Sequence, residues 1–144
     1  MVDKRAEVTW NGDLMSGSGT IERVGSGAVG PLPVSWAART GEGQPELTSP
    51  EELIAAAHAA CFSMALSNGL AKDGTPPESL SVSATVTFVP GTGITRSALE
   101  VEGRVAGISE EAFVAAAERA KDGCPVSGAL KGNVELSVSA RLAS

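Results

Sequence analysis

Ser49-Pro50-Glu51-Glu52-Leu53-Ile54-Ala55-Ala56-Ala57-His58-Ala59-Ala60-Cys61-Phe62-Ser63-Met64-Ala65-Leu66-Ser67 is the stretch on which the fold turns. Ser49 is a good helix N-cap, Pro50 suits the first helical position, and Glu52 completes a Ser-x-x-Glu capping box. The spacing predicts a helix from here to about Lys72, stopped by Gly74. Leu53, Ile54, the alanines, Cys61, Phe62, Met64 and Leu66 cover every side of it. A helix that is apolar all round must be buried all round. The remaining elements are too few to wrap it in one chain, so the helix is expected at the interface of an intimate homodimer.

Outward from it, strands announce themselves by alternation. Leu80, Val82, Ala84, Val86 and Phe88 alternate with Ser81, Ser83, Thr85 and Thr87. After a turn at Pro90-Gly91-Thr92-Gly93, Leu99, Val101, Gly103 and Val105 alternate with polar neighbours, predicting an antiparallel hairpin. Val134, Leu136, Val138, Ala140 and Leu142 repeat the pattern. Weaker strands are expected at Ala6–Trp10, Gly19–Val24 and Val34–Arg39, and an open loop from Thr40 to Glu46. An amphipathic helix follows Ser109, with Phe113, Ala116, Ala117 and Ala120 as its apolar stripe. A short third helix opens at Cys124-Pro125, with Cys124 as its N-cap.

The chain has 144 residues, with 11 Lys+Arg against 17 Asp+Glu and a net charge of −6. That length fits one domain, 1–144. The negative charge argues against nucleic acid, because binding there begins by neutralising phosphates, and against an anionic membrane. The longest apolar run, Ile54 to Leu66, is broken by His58 and Ser63 and would span only about 20 Å as a helix, short of a bilayer core. No apolar leader follows the polar start, so a cytoplasmic location is expected. Two cysteines cannot staple a fold of this size, and a disulfide in that compartment would be transient and catalytic.

Those two cysteines differ. Cys124 at a helix start is favoured as a thiolate, whereas Cys61 sits mid-helix where burial keeps it protonated. Local physics thus makes Cys124 the better nucleophile, and Cys61 would need a cation, preferably an arginine, brought in from elsewhere. The plain alternative is a small core cysteine and an incidental cap. His58, three residues before Cys61, suggests a Cys–His dyad, but side chains at that spacing lie alongside each other, which favours a structural histidine. Cys61, Cys124 and His58 lack the spacing of a zinc site, and no nucleotide-binding or G-x-S-x-G motif occurs, so no metal or cofactor is expected.

The quoted helix closely resembles the signature helix of the OsmC/Ohr family. Ala120-Lys121-Asp122-Gly123-Cys124-Pro125-Val126-Ser127 resembles its second signature, and Trp10-Asn11-Gly12-Asp13-Leu14 with Gly17-Ser18-Gly19-Thr20 its N-terminal hairpin. The resemblance runs from about Val8 to Leu142, with His58 and Phe62–Leu66 closer to the osmotically inducible branch than to the organic-hydroperoxide-resistance branch. It implies an α+β fold with antiparallel β-sheets around central helices and an intertwined homodimer. It also implies a thiol peroxidase acting in oxidative and osmotic stress, with Cys61 as peroxidatic and Cys124 as resolving cysteine, which reverses the local ranking. Cys61 would become a sulfenic acid, Cys124 would close a disulfide on it, and an external dithiol, of lipoyl type or another thiol, would reduce that. The family's glutamate and arginine map to Glu51 and Arg39, the arginine stabilising thiolate and developing alkoxide and the glutamate orienting it. Glu51 and Cys61 are ten residues apart on one helix, about 15 Å, so a shared site requires Arg39 and Glu51 from the partner. Phe62 and Met64 point to organic hydroperoxides over hydrogen peroxide. Rival readings are an apolar-ligand binding module with inert cysteines and a dithiol–disulfide oxidoreductase, the latter lacking C-x-x-C.

Overall fold

Alternating residues become strands and capped apolar runs become helices in a computed structural model that describes residues 1–41 and 45–144. The chain divides into two units, Met1–Leu53 and Ile54–Ser144. In the first, β1 (Ala6–Asn11), β2 (Ser18–Val24) and β3 (Leu32–Val34) form an antiparallel sheet in that order. The backbone N–H of Thr48 donates to Pro33 O at 2.9 Å, tying the approach to the long helix onto β3.

The strand expected over Val34–Arg39 is a correction. It ends at Val34, and α1 (Trp36–Thr40) follows. Ser35 causes the change: its backbone is extended while its Oγ accepts from Ala38 N at 3.0 Å, an N-cap bond that starts a helical turn. Arg39 therefore sits in the last turn of a helix rather than at a strand end. The expected loop from Thr40 to Glu46 includes Glu42, Gly43 and Gln44, which lie outside the described residues.

The second helix, α2 (Pro50–Lys72), is unbroken, and Ser49 Oγ caps it by accepting from Glu52 N at 3.2 Å. With 23 residues and a mean hydropathy of 1.4 it is long and apolar enough to cross a bilayer. Yet one stripe of it, His58, Phe62, Leu66 and Leu70, has no exposed surface. Successive members are four residues apart, so they lie on one face. Met64 on another face is 73% exposed. The chain by itself covers one side of this helix and leaves much of the rest bare.

In the second unit β4 (Ser79–Val89) and β5 (Gly93–Arg104) form the expected hairpin, with Val82 opposite Val101 and Ala84 opposite Leu99. Then come α3 (Glu110–Gly123), α4 (Pro125–Leu130) and β6 (Glu135–Leu142). Here too the expectation of wholly antiparallel sheets needs correcting: β6 pairs with β5 in parallel. A parallel neighbour needs a long crossover, and α3 with α4 supplies it. The core joins the α2 stripe to Leu99, Val101, Phe113, Ala116, Ala117 and Ala120. Small residues permit close approach here. A Cβ on Gly103 would lie 2.5 Å from Phe113 Cζ, so the ring rests directly on the sheet backbone.

Candidate active site

Cys124 is the hinge between two helices. Its backbone is extended at φ −67° and ψ 130°, and Pro125 follows it at the first position of α4. The first N–H groups of a helix lack intrahelical acceptors, so a sulphur at the cap position can take them. At Cys124 no side-chain cap hydrogen bond forms; burial pushes its thiol up, but the nearby Cys61 thiol, Ser127 N–H and hydroxyl and Val126 N–H together pull it below its ordinary value. Cys61, on α2, is displaced the other way. Burial raises it first and its hydrogen bond to Cys124 adds to this, with the Val126 N–H opposing. The two sulphurs titrate as a coupled pair, in which Cys124 gives up its proton more readily than Cys61 in the chain alone. Both cysteines are free thiols; Cys61 is half-buried, while Cys124 is 1% exposed.

His58 belongs to this cluster but makes no dyad with Cys61. Its Nδ1 lies 2.6 Å from Ser97 Oγ on β5 and its Nε2 lies 2.9 Å from Ser127 Oγ on α4. Neither serine was anticipated as a site residue. Ser97 carried a signal, being the one hydroxyl in the otherwise apolar row 97, 99, 101, 103 of β5. Ser127 was visible only as the end of the second signature. Burial holds the His58 pKa below 6.5, so acid must charge the ring at the expense of the folded state. This stabilisation is complete above the unfolded value of 6.5 and is lost as pH falls from there to the lower folded value. The urea midpoint should drop below pH 6.5, with a slope of at most about 1.4 kcal/mol per pH unit, and His58→Gln should flatten that limb.

A second pair forms in the other unit. Arg39 Nε and Nη2 both lie 2.9 Å from Glu51 Oε1. Both donors converge on one oxygen, and the buried Oε2 has no hydrogen-bond partner among the described residues. The Arg39 guanidinium also lies 6.0 Å from the centroid of the Trp36 ring. Two donors on one carboxylate oxygen fix the guanidinium plane. Thus the structure joins Cys61 to Cys124 and Arg39 to Glu51, each pair within its own unit. No group of three or more His, Cys, Asp or Glu that could hold a metal ion occurs among the described residues.

The family model for OsmC-like protein matches residues 41–139. The chain is 41% identical to the Peroxiredoxin OsmC of Escherichia coli (strain K12) over 138 residues, 94% of each chain. The chain belongs to the OsmC family. Its activity is of the peroxiredoxin type. Among solved structures it resembles the organic hydroperoxide resistance protein OhrB of Bacillus subtilis, with a TM-score of 0.69 and 24% identity, covering 95% of this chain and 98% of that one. It also resembles an OsmC-like protein of unknown function from Vibrio cholerae, with a TM-score of 0.72 and 16% identity, covering 97% and 99%. These two likenesses establish the α+β fold of the family.

Proposed function

We propose that this OsmC-family member reduces organic hydroperoxides with Cys61 as first nucleophile and Cys124 as resolver. The observation that carries this is that the fold brings two cysteines 63 positions apart in sequence (124 − 61), one from each signature motif, close enough for each thiol to shift the other's ionisation. Cys61 thiolate attacks the O–O bond, the alcohol leaves, and Cys61 becomes a sulfenic acid. Cys124 then displaces hydroxide from that sulphur, which takes up the Cys124 proton as water, and a disulfide is left for an external dithiol to reduce. Exposure and ionisation rank the two sulphurs oppositely. Cys124 ionises more readily, but a peroxide must reach the sulphur it oxidises, and of the two Cys61 offers surface.

A second copy of the chain reconciles the two rankings. The bare face of α2 around Met64 is the surface such a copy would cover. On the unbroken α2, Glu51 and Cys61 are separated by about 15 Å of helical rise. Arg39 and Glu51 contributed by the partner would supply a cation beside Cys61 and favour its thiolate. In this reading the two units act as one OsmC-like domain, 1–144, and the enzyme serves cytoplasmic oxidative and osmotic stress defence. Sedimentation should show a dimer at low micromolar concentration. Mixing inactive Cys61→Ala and Arg39→Ala chains should restore activity in heterodimers, to about a quarter of wild type on random equimolar pairing, each heterodimer having one intact site of two; no recovery would refute shared sites.

The function itself is tested by kcat/KM for an alkyl hydroperoxide and for hydrogen peroxide, with dithiothreitol as reductant. Phe62 and Met64 near the thiol favour the alkyl substrate, and about a tenfold preference is expected from burial of a few methylenes. Equal rates would remove the substrate assignment, and no turnover would remove the peroxidase.

A further inference from the structure

Helix α4 has little of its own to hold it in place. Six residues are too few to sustain a helix by themselves. Its backbone bonds, such as Gly128 N to Cys124 O at 3.0 Å and Lys131 N to Ser127 O at 2.8 Å, close on the chain beside it. Among the described residues, the hydrophobic core is built from α2, α3, the sheet and the turn after β5, without an α4 side chain. The buried side chain of α4 is a polar one, Ser127, 2% exposed. Its Oγ lies 2.9 Å from His58 Nε2, the side-chain hydrogen bond that carries α4 across to α2. His58 has no exposed surface, and its Nδ1 lies 2.6 Å from Ser97 Oγ on β5. A buried imidazole is costly unless paired, and here it is paired at both nitrogens, which fixes the ring as well as satisfying it.

This tie stands one turn from each cysteine. His58 precedes Cys61 by three residues on the unbroken α2, and Ser127 follows Cys124 by three in the first turn of α4. Side chains three apart on a helix are neighbours on its surface. The two offsets are equal and opposite. From the bonded pair, one step forward on α2 and one step back on α4 therefore arrive at the two thiols, in keeping with their influence on each other's ionisation.

We propose that His58 and Ser127 are positioning residues for disulfide closure: their bond holds the start of α4 against α2 and so sets the effective concentration of Cys124 at Cys61. This rests on the peroxidase reading for its place in the cycle but not for its measurement. Closure forms the S–S bond, breaks the S–O bond of the Cys61 sulfenic acid and releases hydroxide, which takes up the Cys124 proton as water. His58 and Ser127 exchange no proton in this step. They restrain α4 while both thiols are still reduced, so less conformational freedom is lost when the bond closes.

The dithiol–disulfide equilibrium reads this directly. Chains are equilibrated in graded mixtures of reduced and oxidised dithiothreitol, two electrons and two protons passing between protein and reagent, and the Cys61–Cys124 disulfide is measured by mass after acid quench. Ser127→Ala should disfavour the disulfide by about tenfold, a shift of about 30 mV to a less negative potential. His58→Leu should do the same, and the double variant should lose no more than about tenfold, since both changes remove one bond. His58→Gln, whose amide reaches the position of Nε2, should stay within about threefold of wild type. Leu70→Ala opens a cavity about three turns along α2 from His58 and lowers stability, yet should leave the equilibrium at its wild-type value. In a single turnover with an alkyl hydroperoxide, Ser127→Ala should slow closure by about tenfold while Cys61 oxidation keeps its rate. No shift in Ser127→Ala, an equal shift in Leu70→Ala, or a loss of about a hundredfold in the double variant would each overturn the proposal. So would a wild-type chain that forms no intramolecular disulfide in these buffers. Should His58→Leu fail to fold, Ser127→Ala against Leu70→Ala decides alone. If wild type equilibrates as expected but consumes no peroxide, the peroxidase reading fails, and the potentials still decide the positioning role.

Discussion

Cys61→Ser is expected to lower alkyl-hydroperoxide turnover to about a thousandth of wild type or less. The substitution preserves size and the hydrogen bond to Cys124, but a serine hydroxyl does not ionise near neutral pH and cannot be oxidised by a peroxide. Cys124 cannot take over, although it ionises more readily than Cys61 in the isolated chain, because it is 1% exposed and a bulky alkyl peroxide cannot approach it in line. Cys124→Ser should behave differently. It should oxidise once at Cys61 and then stall or turn over slowly, since dithiothreitol must attack the sulfenic acid from solution. A peroxide-consumption assay over several turnovers separates the two variants, and equal residual activity would contradict the assigned order.

The largest expected effect on stability comes from Phe113→Ala. Phe113 has no exposed surface, and its ring rests on Gly103, where even a methyl group would collide at 2.5 Å. Removing a buried phenylalanine costs about 3–5 kcal/mol, depending on how well the site collapses. Here collapse is poor, because the floor of the cavity is strand backbone with no side chain to move in and the neighbours Ala116, Ala117 and Ala120 are short. The upper half of that range follows, equivalent to a fall of about 10 °C in the thermal midpoint for a chain of this size. A loss below about 2 kcal/mol in urea unfolding would mean that the core around α3 repacks freely.

Long, capped and strongly patterned segments were legible from the residues alone. Ser49-Pro50 fixed the start of α2, Ser109 that of α3, and the alternation over Leu80–Phe88 marked β4. Alternation states which face of a strand is buried but not which strand lies beside it or in what direction. For that reason the parallel pairing of β5 with β6 could not be read. α1 escaped because five residues carry no period, and its start depends on one Ser35 side-chain bond. At the site, Cys61, Cys124, Arg39 and Glu51 were found through motifs. Arg39 forms an ion pair with Glu51 and arrives from a helix, a placement the motifs do not encode. Ser97 and Ser127 lie 39 and 69 positions from His58, so their convergence on its ring is a product of the fold.

The central claim is the order of the two thiols, and it is tested most directly by mass analysis of peptides after one equivalent of an alkyl hydroperoxide. In wild type the account predicts a Cys61–Cys124 disulfide. In Cys124→Ser it predicts one added oxygen, trapped as a sulfenic acid on the Cys61 peptide. Oxygen found instead on the Cys124 peptide of a Cys61→Ser chain, with Cys61 left reduced in Cys124→Ser, would contradict it and make the buried cysteine the nucleophile.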